Sequence, residues 1–153
     1  MEMLSIALRF NLSQPSASAR NLISIFLIAL GRFEGAEKHT RESLEFALDA
    51  SNGVLIAYNV QHLAAIATLR PRVTRESVRT AHEGAAQLLG FVDGRLTALG
   101  STKFRQQQQQ RDRSLAALCD TLGRKSVTRL MAAGAAMTED QAIADALRLS
   151  QIE

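Results

Sequence analysis

Apolar residues recur every three or four positions over most of the chain, the spacing of helices with one buried face, and turn-forming residues cut that recurrence into segments. The run Leu22-Ile23-Ser24-Ile25-Phe26-Leu27-Ile28-Ala29-Leu30 is apolar on nearly every side, which predicts a helix covered by more than one neighbour. Gly31 suits a left-handed cap at its end, and Ser16 or Ser18 is placed to cap its start after the turn formers that precede it. From Phe33 the chain turns amphipathic: Phe33, Ala36, Leu44, Ala47 and Leu48 share one face, while Glu34, Glu37, Lys38, Arg41, Glu42 and Glu45 face out. After the break at Asn52-Gly53, Val54 to Leu69 reads as a second buried helix, rich in small alanines that let neighbours approach. Pro71 forces the chain out of that helix, and Thr74 can cap the next, which runs toward Leu99. Gly84, Gly90 and Gly94 each weaken that helix by about 1 kcal/mol relative to alanine, so they are expected at close helix contacts.

Beyond the turn at Gly100-Ser101, Thr102 to Leu122 predicts a long helix. Its first half, Lys103 to Arg113, is polar apart from Phe104 and is expected to project into solvent, with Gln106 to Gln110 serving as helix formers. Gly123 closes it. Lys125 to Ala136 follows as a short helix with Val127, Leu130 and Met131 inward, and Thr138-Glu139-Asp140-Gln141 reads as a capping box before Ala142, Ile143, Ala146, Leu147 and Leu149. At the other end, Met3, Ile6, Ala7 and Phe10 fit helical spacing while Leu4, Ile6, Leu8 and Phe10 alternate as in a strand; an isolated strand would have no partner, so a short helix is preferred. The expected fold is all-α, about six or seven helices in antiparallel hairpins. It is one domain spanning 1–153, with a short N-terminal helix and turn (1–16), repeat-like helices (17–69), a basic turn and helix (70–100) and C-terminal helices (101–153).

Composition changes little in this picture. Hydrophobic residues at 46% and charged residues at 22% are ordinary for a soluble domain, and the scarcity of Pro (2) and the absence of Trp suit helices. The net charge of +3 comes from 18 Lys and Arg against 15 Asp and Glu, a near balance that gives nucleic-acid binding little support. A single cysteine, Cys119, excludes an internal disulfide and fits a reducing cytoplasm. The run from Leu22 to Leu30 is shorter than the roughly 20 apolar residues that cross a bilayer, and Gly31-Arg32-Phe33-Glu34 stands where a signal peptide would need small residues. A cytoplasmic protein without a membrane segment is therefore expected.

Candidate chemistry is sparse. His39, His62 and His82 lack the close carboxylate or cysteine spacing of a metal set and read as core or solvated histidines. Cys119, in Leu118-Cys119-Asp120, reads as a small helix residue rather than a nucleophile, and the glycines form no phosphate-cradling loop. No catalytic residue, metal or cofactor is assigned, and an enzyme is not expected. Arg70, Arg72, Arg75 and Arg79, like Lys103, Arg105, Arg111 and Arg113, could meet phosphates, but only Phe104 among them could stack on a base. The candidate partner surface comprises Leu4, Leu8 and Phe10 with Arg70, Arg72, Arg75 and Arg79.

The turn Leu30-Gly31-Arg32-Phe33-Glu34-Gly35-Ala36-Glu37 joins two helical runs, and its Glu34-Gly35-Ala36 recurs as Glu83-Gly84-Ala85. Residues Leu22 through Ala50 resemble a degenerate tetratricopeptide repeat, with Gly31, Phe33 and Ala36 where that repeat places its glycine, aromatic and small residue. Ala85-Ala86-Gln87-Leu88-Leu89-Gly90, Leu96-Thr97-Ala98-Leu99-Gly100, Leu115-Ala116-Ala117-Leu118, Leu122-Gly123 and Met131 to Ala142 are similar to the C-terminal end of large bacterial ATP-dependent transcriptional regulators of the maltose-regulon-activator type. The resemblance implies hairpins stacked as a right-handed superhelix, which in that family senses an inducer or partner and restrains the ATPase. This chain carries neither a phosphate-binding glycine loop nor a DNA-reading domain, so only the sensor scaffold is implied; the basic stretch Arg70 to Arg79 departs from the family's short turn. The expected function is a non-catalytic interaction or signal-sensing scaffold, with a protein partner or a second copy bound as a dimer and a small-molecule inducer as a further ligand. The alternative is a small helical protein that holds nucleic acid through its arginine clusters, which predicts affinity falling steeply with salt.

Overall fold

The computed structural model describes residues 13–151, and these are all-helical, with no strand among them. Seven helices follow in order: α1 (Ser13–Ala29), α2 (Phe33–Asp49), α3 (Gly53–Leu69), α4 (Arg75–Ala98), α5 (Arg105–Leu122), α6 (Arg124–Ala135) and α7 (Glu139–Leu149). The expected N-terminal helix, with Leu4, Leu8 and Phe10, lies outside the described residues. Helix α1 begins at Ser13, ahead of the expected caps Ser16 and Ser18; Pro15 falls in its first turn, where its missing N–H leaves no bond unmade.

Short turns force consecutive helices to run back on one another. Gly31, at φ 74°, lets the Gly31 and Arg32 amides donate to the carbonyls of Ile28 (3.0 Å) and Leu27 (2.8 Å), closing α1 and reversing the chain within three residues. Ser51 takes the same left-handed role after α2 at φ 51°, and Asn52 then caps α3 by accepting from the Leu55 amide at 3.1 Å. Thr74 caps α4 through the Ser77 amide (3.0 Å), and the expected capping box forms at α7, where Thr138 Oγ1 accepts from the Gln141 amide (3.2 Å) and Gln141 Oε1 from the Thr138 amide (3.0 Å).

Helix α3 is the axis of the molecule: every residue from Ile56 to Thr68 is buried, and α1, α2, α4, α5 and α7 all pack against it. The pairs α1/α2, α2/α3 and α3/α4 are compatible with stacked hairpins, while α5 and α7 return across α3 and close its remaining sides. The end of α7 is held by a polar clamp. Glu37 pairs with Arg41 (3.1 Å) and Arg70 (3.0 Å), Arg41 donates to the Leu147 carbonyl (3.2 Å) and to Ser150 Oγ, and Arg70 lies 3.4 Å from the Ser150 carbonyl. Two guanidinium groups thus serve the open carbonyls at the helix end. Burial of Glu37 works to raise its pKa, but hydrogen bonds from Arg70, Arg41 and Ser150 outweigh it and hold the carboxyl below its ordinary value.

The closest approach joins α4 to α6. A Cβ on Gly90 would overlap the backbone of Met131, and one on Gly134 the backbone of Gln87, so the helices cross main chain to main chain at a reciprocal pair of glycines. Gly84 faces the Leu149 side chain, 2.7 Å from where its Cβ would be. Gly90 is therefore a packing residue of necessity, whereas at Gly84 the Leu149 side chain would have to shift, and Gly94 sits in ordinary contact with Ala135 at 3.8 Å. Because backbone cannot rotate away, Gly90→Ala and Gly134→Ala are each expected to destabilise the protein by about 3 kcal/mol or more, whereas Gly35→Ala, whose Cβ would sit 3.5 Å from Leu27, should be neutral or stabilise by up to about 1 kcal/mol. Urea unfolding of the three variants checks this; equal effects at the three positions would contradict the backbone crossing.

Candidate functional site

A polar layer crosses the core where α1, α3 and α5 meet. Gln61 and His62 from the buried axis meet Asn21 of α1 and Gln107 and Gln110 of α5, all less than one-tenth exposed. The geometry fixes most of the protons. Gln61 Nε2 donates to the Gln107 carbonyl at 3.0 Å, a backbone acceptor that admits no alternative, and its second N–H donates to Gln110 Oε1 at 3.0 Å. With that oxygen set as an acceptor, His62 Nδ1, 3.0 Å away, must carry the ring proton. The other ring nitrogen, Nε2, lies against the Asn21 side-chain amide. Burial pushes the His62 pKa down to about 4, with the Gln110 hydrogen bond opposing only in part, so the neutral ring is the state at physiological pH.

This layer corrects the expectation that the first half of α5 projects into solvent. Gln107 and Gln110 stand three residues apart and face the axis, and Gln107 Oε1 also accepts from the Phe104 amide (2.9 Å) at the helix start. The Gln110 side-chain oxygen and the Gln107 main-chain carbonyl are the complement of Gln61 and His62, a pairing between segments 46 to 49 residues apart that local periodicity does not carry. Two of the expected phosphate contacts are also internal: Lys103 Nζ lies 2.6 Å from Asp93 Oδ1, and Arg111 grips both oxygens of the same carboxylate at 2.7 and 3.1 Å, which fastens α5 to α4. Burial would raise the Asp93 pKa, but hydrogen bonds from Arg111 and Lys103 hold it below the ordinary value.

The predicted arginines divide. Arg70 turns inward to the Glu37 clamp, and Arg72 leans back on the Ala67 carbonyl at 3.4 Å. Arg72, Arg75 and Arg79 nevertheless line one groove of about 500 Å3 at the start of α4. Its far wall is the corner where Gly123 alone separates α5 from α6, and it contributes Leu122, Ser126, Arg129 and Leu130. The only sequence signal for Arg129 is its three-residue spacing from Ser126, which places both on one side of α6. Val78, Leu122 and Leu130 give the groove an apolar floor, and Val73 stands 94% exposed at its lip. Glu83, its one carboxylate, pairs with Arg79 at 2.9 Å. The other histidines are held locally: His82 Nε2 donates to the Thr68 carbonyl (2.9 Å), and His39 Nδ1 faces Arg20 at 3.2 Å. Among the described residues no group of His, Cys, Asp or Glu could hold a metal ion, and no helix is long and apolar enough to cross a membrane.

The polar axis and the arginine groove define an all-helical protein whose open, charged concavity lies on its surface while its polar chemistry is internal. The chain matches no family model, no curated protein and no solved structure.

His62 makes the core sensitive to acid. Its folded pKa lies below the unfolded value, so the unfolded chain takes up a proton first and stability falls as pH drops below about 6.5, levelling near 4. Between pH 7.5 and pH 5 the loss is expected to be about 2 kcal/mol from this ring. Burial also lowers the pKa of His39 and His82, which add shallower slopes of the same sign. Urea titrations at both pH values should show most of the slope vanishing in His62→Gln; an unchanged slope would move the acid sensitivity elsewhere.

Proposed function

We propose that the chain is a non-catalytic helical scaffold that binds a protein partner or signal, of the tetratricopeptide-like kind found in the C-terminal repeat region of bacterial transcriptional regulators. The observation that carries this reading is the groove of about 500 Å3, assembled from segments some 50 residues apart and preformed by packed helices. Hairpins that run back on one another place such concavities at their ends, and the backbone crossing of α4 and α6 makes this one rigid. On this reading the protein works in the cytoplasm, coupling partner binding to a regulatory output without chemistry of its own.

Self-association as a dimer belongs to the same proposal. Phe26, in the last turn of α1, and Leu30, just beyond its end, are 55% and 68% exposed, and they supply an apolar edge for a second copy to cover. The nucleic-acid alternative has the groove's guanidinium groups in its favour, but no aromatic residue lines the groove to stack on a base, and Lys103 and Arg111 are bound to Asp93. Size-exclusion chromatography with light scattering at low and high salt separates the readings. A dimer that persists in high salt, ignores oligonucleotide and becomes monomeric in the Phe26→Asp/Leu30→Asp variant is expected; a monomer that takes up oligonucleotide at low salt would overturn the scaffold reading.

A further inference from the structure

We infer that the groove between the start of α4 and the α5–α6 corner receives an acidic, amphipathic segment of a partner protein, whose carboxylates meet Arg75, Arg79 and Arg129 and whose apolar side chains settle on Val78, Leu122 and Leu130. The inference rests on the scaffold reading and names the occupant of its groove. Charge selects that occupant. Four arginines line the groove against a single carboxylate, Glu83, and Arg75 and Arg129 have no ion-pair partner among the described residues. Arg79 is tied to Glu83 only by an exposed pair four residues apart, 75% and 44% exposed, of the kind that exchanges readily for another carboxylate. Each free guanidinium offers the planar fork that fits a carboxylate through two parallel hydrogen bonds. Helix α6 starts at this corner with no side-chain cap and no acidic residue in its first turn, so its positive end adds to the same field.

The apolar part of the lining decides against a bare polyanion. Val78, Leu122 and Leu130 form a floor below the arginines, and Val73 projects at the lip, where a phosphate backbone has nothing to bury but a leucine or isoleucine side chain does. Apolar anchors flanked by carboxylates at helical spacing match both parts at once.

Fluorescence anisotropy with a fluorescein-labelled helical peptide carrying leucine on one face and glutamate beside it tests the match on the full chain. Copies with glutamate replaced by lysine or leucine by serine, and a single-stranded oligothymidylate, complete the set. The leucine–glutamate peptide is expected to bind, and both altered copies and the Arg75→Glu/Arg129→Glu variant should each lose at least about tenfold in affinity. Val73→Asp should weaken binding by a smaller factor. All three positions are exposed, and circular dichroism checks that the variants keep the wild-type helix content. Absence of peptide binding up to millimolar concentration, or binding indifferent to the charge reversal, overturns the inference while the dimer still speaks for the scaffold. Oligothymidylate displacing the peptide from the groove overturns both.

Discussion

Gly90 of α4 and Gly134 of α6 bring two backbones into direct contact, and the placing of the C-terminal third of the molecule depends on that approach. Most helix pairs in proteins keep axes 8–10 Å apart because side chains stand between them. Here the spacer is missing on both sides, so α6 is seated deep against α4 and its position admits little adjustment. The corner at Gly123, at φ 82°, is the covalent counterpart of that seat: one residue turns α5 into α6, and only a glycine adopts such a turn without strain. Arg129 and Leu130 reach the groove because the glycine contact fixes the helix that carries them.

A second constraint lies across the axis. An all-apolar helix α3 could bind its five neighbours in several rotations, since apolar contact is non-directional. Gln61 and His62 admit fewer, because their hydrogen-bonding atoms must meet Gln107, Gln110 and Asn21. Polar groups inside a core contribute little net stability when satisfied and cost considerably when not. Their effect here is to select one rotation of α3 and one register of α5, and the acid sensitivity of the imidazole comes with that selection.

Those two constraints differ in how far the sequence revealed them. Helix ends were legible because they are local: Thr74, Gly31, Gly123 and the box from Thr138 to Gln141 act within a few residues of themselves. The cost of glycine inside a helix also pointed correctly to close contacts, since a penalty at Gly84 and Gly90 needs a compensating approach. Exposed and buried glutamine look alike to a local pattern, and only Gln61 and His62 on α3 separate them. The same holds for Lys103 and Arg111, whose roles depend on a single carboxylate 10 and 18 residues away, and for Arg70, which is committed to Glu37 on another helix. Of the groove, Arg72, Arg75 and Arg79 are visible in the sequence as a cluster, with Val78 among them, but Arg129, Leu122 and Leu130 arrive from the other wall, some 50 residues away.

The return of α7 across α3 has a consequence for how the chain is made. Helix α3 ends at Leu69, whereas the helix that closes its last side starts at Glu139, 70 positions later. At synthesis rates of roughly 5 to 20 residues per second, the apolar axis emerges from the ribosome roughly 4 to 14 seconds before its cover exists. During that interval only the earlier helices cover α3, the most hydrophobic helix among the described residues, and the side that α7 closes in the native fold stays open.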